Sequence, residues 1–217
     1  MISKGWDWSK AVDDVWLKPS EESVVMVYRW KRRGFKKVLD IGCGKGRHSL
    51  LFAQHGFEVS GIDLSASAIE NTMQTLATNG VNCEIIWADM RDLPFSDGSY
   101  DAVFSYLTIS HTDTAGVRKT LSEIHRVLKP GGEVFFTLNS SESPSYKRGE
   151  YPSLDQFTII KTKEGPEKGE PHFYADEKIL FALLEPFEII WLNHTHNLYH
   201  NSNKNDSWDY YVLAKKR

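Results

Sequence analysis

The 217 residues predict an α/β fold: a mostly parallel, doubly wound sheet with helices on both faces and an antiparallel last strand. Three observations predict it. Between residues 36 and 138 short apolar runs alternate with amphipathic segments of helical period, the pattern of right-handed βαβ units around a parallel sheet. The last two apolar runs, 187–192 and 208–214, pair with each other, which makes that edge antiparallel. The length fills one domain well and is short for two.

Each element has its own signal. Residues 1–34 read as a helical cap carrying Trp6, Trp8, Trp16, Tyr28 and Trp30. KVLDI (37–41) is a buried strand, followed by a helix from Arg47 to His55 stopped at Gly56. EVSGID (58–63) is the second strand. Ser67-Ala-Ile-Glu70 has the spacing of a capping box and predicts a helix burying Ile69, Met73, Leu76 and Ala77, ended by Asn79-Gly80. EIIWAD (84–89) and YDAVFSYL (100–107) are the third and fourth strands. Val117, Leu121, Ile124 and Leu128 mark a helix broken by Lys129-Pro130-Gly131-Gly132, and EVFFTL (133–138) is the fifth strand. Residues 139–174, rich in Ser, Pro, Gly and charge, are far longer than an ordinary connection and predict a functional loop, a substrate-side insert, or a disordered segment. A short helix near 176–185 and the two final strands complete a single domain over 1–217. Its parts are the cap (1–34), a core (35–138), the insert (139–174) and a terminal helix with a strand pair (175–217).

Composition narrows the function class. No run approaches the roughly 18 apolar residues of a membrane span, and MISKGWDWSKAVDD has no apolar stretch of a secretory signal. Two cysteines make no disulfide framework, so a reducing, cytoplasmic setting is expected. A net charge of −3 disfavours general nucleic-acid binding. The basic cluster Arg29, Lys31, Arg32, Arg33, Lys36 and Lys37 reads as a solvated helix C-terminus, with an RNA-contacting patch as the alternative.

The chemistry is concentrated in Asp40-x-Gly42-x-Gly44-x-Gly46. A nucleotide P-loop needs Gly-Lys-Ser/Thr, and Lys45 is followed by Gly46. A dinucleotide turn needs glycine at 47, where this chain has Arg47. An acid before the turn would crowd a pyrophosphate but suits a ligand carrying an ammonium group, and S-adenosylmethionine carries one and no phosphate.

Four stretches together resemble the class I S-adenosylmethionine-dependent methyltransferases: Asp40 to Gly46, GIDLS (61–65), WADMRDLPF (87–95) and HRVLKPGGEVFFT (125–137). The resemblance covers about residues 35–138 in detail. It implies a three-layer Rossmann-like fold, S-adenosyl-L-methionine as cofactor, and methyl transfer. Within the family, the stretch from Asp40 to Glu70 is most similar to small bacterial methyltransferases of the tellurite-resistance-related type, which read Gly-Arg-Asn-Ser where this chain has Gly46-Arg47-His48-Ser49. The resemblance implies that Asp40, Gly42, Cys43, Gly44 and Gly46 form the cofactor turn, that Asp63 holds the ribose hydroxyls, and that Asp89 and Met90 flank the adenine. Leu64 is an apolar plate for the purine or plain core, and Cys43 is a small turn residue rather than a reactive thiol.

Tyr106 ends the fourth strand at the carboxyl edge where ligands of open α/β sheets sit. It and His111 are the catalytic candidates, each with a structural role as its alternative. His111, His172 and Tyr174 are the substrate candidates. His194, His196 and His200 lack a third ligand at diagnostic spacing, so no metal is predicted. A small-molecule acceptor is expected, with metalloid, protein and RNA acceptors left open. Two other functions compete: a nucleotide-dependent oxidoreductase on the same fold, and a non-catalytic cofactor-binding module.

Overall fold

A computed structural model describes residues 5, 6, 8, 16–165, 167–198 and 206–217. His200 and much of the head before Trp16 lie outside the described residues. The main sheet contains β1 (Lys37–Ile41), β2 (Glu58–Asp63), β3 (Glu84–Trp87), β4 (Tyr100–Ser105), β5 (Leu128–Asn139), β9 (Phe187–Asn197) and β10 (Ser207–Lys216). Its order is β3-β2-β1-β4-β5-β10-β9. The first five strands run parallel, and β10 pairs antiparallel with both β5 and β9. The predicted fold class and antiparallel edge are therefore present.

Alternation along each central strand builds two apolar layers, because successive side chains leave a strand on opposite faces. Leu39, Ile41, Val103, Val134, Phe136 and Val212 pack on one face with α4 (Thr114–Val127) and α6 (Glu177–Leu184). Val38, Ala102, Phe104, Phe135 and Leu213 pack on the other with α1 (Glu21–Arg32) and α2 (Arg47–Gln54). Ser20 caps α1, its hydroxyl accepting from Ser23 N, and Glu21 and Glu22 in the first turn suit the helix dipole. Among the described residues no helix is long and apolar enough to cross a membrane.

Two elements depart from the sequence reading. Helix α3 (Ala66–Thr78) begins two residues early, with Ser65 as N-cap, and no side-chain cap bond forms there. Its buried residues are Ala68, Thr72 and Leu76, whereas Met73 is 57% exposed, so the expected face is rotated. The insert is not irregular: after the short α5 (Pro144–Lys147) it forms an antiparallel three-stranded sheet of β6 (Ser153–Asp155), β7 (Thr158–Ile160) and β8 (Pro171–Phe173). This small sheet is pinned to the core. Phe173 N donates to Ser110 O at 2.8 Å, and Asp155 accepts from Thr114 N and Thr114 Oγ1 at 3.2 and 2.8 Å, at the start of α4.

Candidate active site

A chamber of about 870 Å³ opens at the carboxyl ends of β1, β2 and β4. One end is built by the glycine turn. Gly42 N and Cys43 N both donate to Ile62 O, at 2.8 and 2.9 Å, which ties the turn to β2. Gly42 has φ +77°, and a Cβ there would lie 2.2 Å from the Thr108 hydroxyl, so the position accepts no side chain. At Gly44 a Cβ would come within 2.6 Å of the Trp8 indole: the bare backbone lets an aromatic ring lie against it.

Asp63, Leu64, Asp89, Met90 and Tyr106 also line the chamber, with Gly42, Cys43 and Gly44. Asp63 accepts from Gly44 N at 3.0 Å through Oδ2 and from Ser65 N at 2.9 Å through Oδ1. Each carboxylate oxygen therefore keeps a further lone pair for a hydroxyl. Burial pushes its carboxyl above the usual range against those hydrogen bonds. Asp89 is clamped by Arg91, which donates Nε at 2.9 Å and Nη2 at 2.5 Å, and this pairing holds its carboxyl low. Tyr106 lies parallel to Phe104 with centroids 6.3 Å apart, and burial raises its hydroxyl pKa.

Two of the expected cofactor residues do not face the chamber. Gly46 starts α2 in a left-handed conformation packed against Thr72. Asp40 is 1% exposed and lies behind the turn, where Ser49 Oγ donates to its Oδ2 at 2.6 Å while Oδ1 has no partner. Burial, partly offset by Ser49, lifts its pKa from 3.8 to about 6. Any effect of this acid on an ammonium group is therefore exerted through the field, not by direct contact. Burial likewise pushes the Cys43 thiol well above its normal pKa, which leaves it an unreactive turn residue.

The other end of the chamber gathers His111, His172 and Tyr174. The two imidazoles have centroids 4.7 Å apart, and burial lowers the His111 pKa to about 3. Tyr174 Oη lies 2.9 Å from Ser145 Oγ. Glu167 also lines the chamber and carried no motif or periodic signal, while Arg47 and Leu107 line it in roles the sequence did not assign. Arg47 stacks its guanidinium over Trp16 and Tyr106, at 5.4 and 5.7 Å. Leu107 adopts φ +56°, an uncommon conformation for a branched residue, fixed by Leu107 N donating to Thr137 Oγ1 at 2.7 Å.

His194 and His196 stand elsewhere, stacked on Tyr210 and Trp208 with centroids 4.3 and 4.5 Å apart. The basic cluster also resolves into structure. Arg29 donates Nε and Nη2 to the fully buried Glu133 at 2.8 and 2.7 Å, and Trp30 Nε1 donates to it at 3.0 Å.

Residues 38–132 match the family model described as a methyltransferase domain. The fold is similar to that of a SAM-dependent methyltransferase from Methanosarcina mazei, with a TM-score of 0.75 at 22% identity over 92% of this chain and 99% of that one. In this segment and in its fold the chain is similar to S-adenosylmethionine-dependent methyltransferases. A similar relative is the malonyl-[acyl-carrier protein] O-methyltransferase of Erwinia billingiae, 37% identical over 116 residues, 54% of this chain and 43% of that protein. The chain spans about half the length of the curated relatives it matches. TehB from Haemophilus influenzae has a similar fold (TM-score 0.69, 19% identity, 92% of this chain and 63% of that one), one likeness among several of the same rank. That supports the tellurite-resistance-type resemblance only weakly.

Proposed function

We propose that this chain transfers the sulfonium methyl group of S-adenosylmethionine to a small-molecule acceptor. The observation that carries this reading is the continuity of one chamber from the glycine turn to the insert. At about 870 Å³ it stands near the upper end of the roughly 300–1,000 Å³ of ligand pockets, space for a nucleoside cofactor and a second small molecule. The remaining acceptor capacity of Asp63 fits such a cofactor: Asp63 would take the ribose hydroxyls, and Met90 and Leu64 would contact the base. When bound, the sulfonium supplies an electrophile already activated by its own charge.

The protein then has to position, exclude water and manage a proton. Trp6, Trp8 and Trp16 cover the turn as an edge-to-face cluster with centroids 4.7–5.7 Å apart. Tyr106 presents an aromatic face at the strand-four end, where cation–π attraction of up to about 2 kcal/mol favours a desolvated cation. His111, kept neutral by burial, lines the acceptor end of the chamber beside His172. Arg47 at the start of α2, where a dinucleotide turn carries glycine, disfavours the oxidoreductase alternative.

Thermal unfolding with ligands tests this. S-adenosylhomocysteine at about 100 times its Kd should add about 2.7 kcal/mol, a rise of roughly 5–10 °C for a chain of this size, while NAD and ATP should add nothing. A rise with NAD and none with S-adenosylhomocysteine would overturn the reading. Release of S-adenosylhomocysteine across a panel of small hydroxylated, carboxylated and amine acceptors then separates a methyltransferase from a silent binding module.

A further inference from the structure

We propose that His111, Glu167 and His172 form a binding site for a divalent transition-metal ion at the acceptor end of the chamber. One ligand atom from each of the three lies within 4.8 Å of the others. Tetrahedral donors bound at about 2.0–2.2 Å stand about 3.3–3.6 Å apart, so closing the three onto one ion needs movements of about 1 Å. Two imidazoles and one carboxylate are a donor set suited to zinc, iron(II), cobalt(II) or manganese(II) rather than to magnesium or calcium.

A second observation points the same way. His172 Nδ1 lies 3.2 Å from the backbone carbonyl of Glu170, which can only accept, so Nδ1 carries a proton. In the neutral ring Nε2 then presents a lone pair, and that atom is buried with no hydrogen-bond partner. It faces Glu167 Oε1 at 3.3 Å, an atom that also only accepts. Two acceptors held face to face call for positive charge between them, either a second proton on His172 or a metal ion, and the third donor, His111, within 4.8 Å of both favours the ion. Lys161 does not supply the charge there, since its Nζ is 3.9 Å away on the other oxygen, Oε2. A backbone carbonyl fixing the far nitrogen of a histidine is also how metal-binding imidazoles are oriented.

All three residues line the chamber, so the ion would keep open positions toward the acceptor. In that place it selects an acceptor with an oxygen donor, a hydroxyl, phenol or carboxylate, and orients it. This last step rests on the methyltransferase reading; metal binding itself does not.

The test is a titration of the metal-free protein with cobalt(II), without cofactor or acceptor, following visible d–d absorption and calorimetric heat. Saturation at one ion per chain with a tetrahedral or five-coordinate spectrum is expected. Glu167→Gln keeps the side-chain shape, and His172→Gln removes an imidazole; each should weaken binding by at least about 100-fold, more than the 10–100-fold typical of outer-shell changes. His196→Ala, remote from the three, should bind as wild type. No saturable binding, or equal binding by wild type and Glu167→Gln, would overturn the proposal in favour of a protonated His172–Glu167 ion pair or an unrelated surface site. Should His172→Gln fail to fold, the half-exposed Glu167 variant still decides. S-adenosylhomocysteine binding measured on the same samples separates failure of the metal site from failure of the methyltransferase reading.

Discussion

Asp40 is an acid placed where water cannot reach it, and its energetics follow from that. The folded state holds its proton more tightly than the unfolded chain does, because burial lifts the pKa from 3.8 to about 6. Between these values the native state binds more protons, so stability falls as pH rises through the window, and the cost is complete above about pH 6. The shift corresponds to about 3 kcal/mol at most. Asp40→Asn should therefore gain on wild type as pH is raised from 4 to 8, by up to that amount in urea unfolding. An identical difference at both pH values would show that Asp40 is not ionised at a cost. Gly42 carries a different constraint. A methyl group at φ +77° would meet Thr108 at 2.2 Å, and left-handed backbone alone costs roughly 1–2 kcal/mol for a residue with a Cβ. Gly42→Ala should lose more than about 2 kcal/mol, a fall in Tm of at least about 4 °C, and a variant that melts like wild type would mean the turn relaxes freely.

At the scale of elements, α1 is held by one buried carboxylate. Glu133 is 0% exposed and collects Arg29, Arg33 and the Trp30 indole from across the sheet. Breaking a fully buried pair costs about 3–5 kcal/mol; both arginines are about a third exposed, which lowers the expectation to about 2–3 kcal/mol. Glu133→Gln should lower Tm by roughly 4–12 °C, and Arg29→Ala should add little on top of it. Additive losses would show that the arginines are free of Glu133 and available to a polyanion. The core strands and the α4 face were legible in the sequence because burial on both sheet faces leaves apolar runs, and Val117, Leu121 and Ile124 repeat at helical period. The α3 face was not, because hydrophobicity favours Ile69 and Met73. The face actually used has to meet the glycine turn, where Thr72 Oγ1 donates to Gly44 O and Thr75 Oγ1 to Lys45 O, both at 2.9 Å. Packing a bare backbone selects small and hydroxyl side chains over larger ones. The insert hid its strands for another reason: three residues are too few for a period of two to show. Glu167 likewise reaches the chamber through a turn that no periodicity marks.

At the scale of the molecule, the chamber has walls from three parts of the chain that are distant in sequence. The glycine turn and the ends of β2 and β4 form the base, Trp6, Trp8 and Trp16 cover one side, and the small sheet with Tyr174 covers the other. Only the base belongs to the continuous main sheet. The outer strand β6 is tied to the core through the Asp155 carboxylate on Thr114, whereas β8 is held more firmly, by the Phe173 amide on Ser110 and the Phe173 ring in the core. Segments with few anchors open at low free energy, and a buried chamber needs such an opening for entry and release. Hydrogen exchange should divide along that line. S-adenosylhomocysteine alone should protect mainly residues 40–47, 61–65 and 87–91, where backbone amides surround the cofactor end. Protection of 153–173 should appear only when an acceptor is also present, because that sheet contacts the other end. Asp155→Ala removes three hydrogen bonds to a charged group, two from Thr114 and one from Phe157 N, each worth about 1.5–3 kcal/mol, at a site partly open to water. It should speed exchange in 153–173 by at least about tenfold while leaving β1, β4 and β5 as slow as in wild type, and spare cofactor affinity while lowering turnover. Equal acceleration throughout the chain would mean that the small sheet opens only with global unfolding. The cover would then be a fixed wall, and ligands would have to enter past the tryptophans.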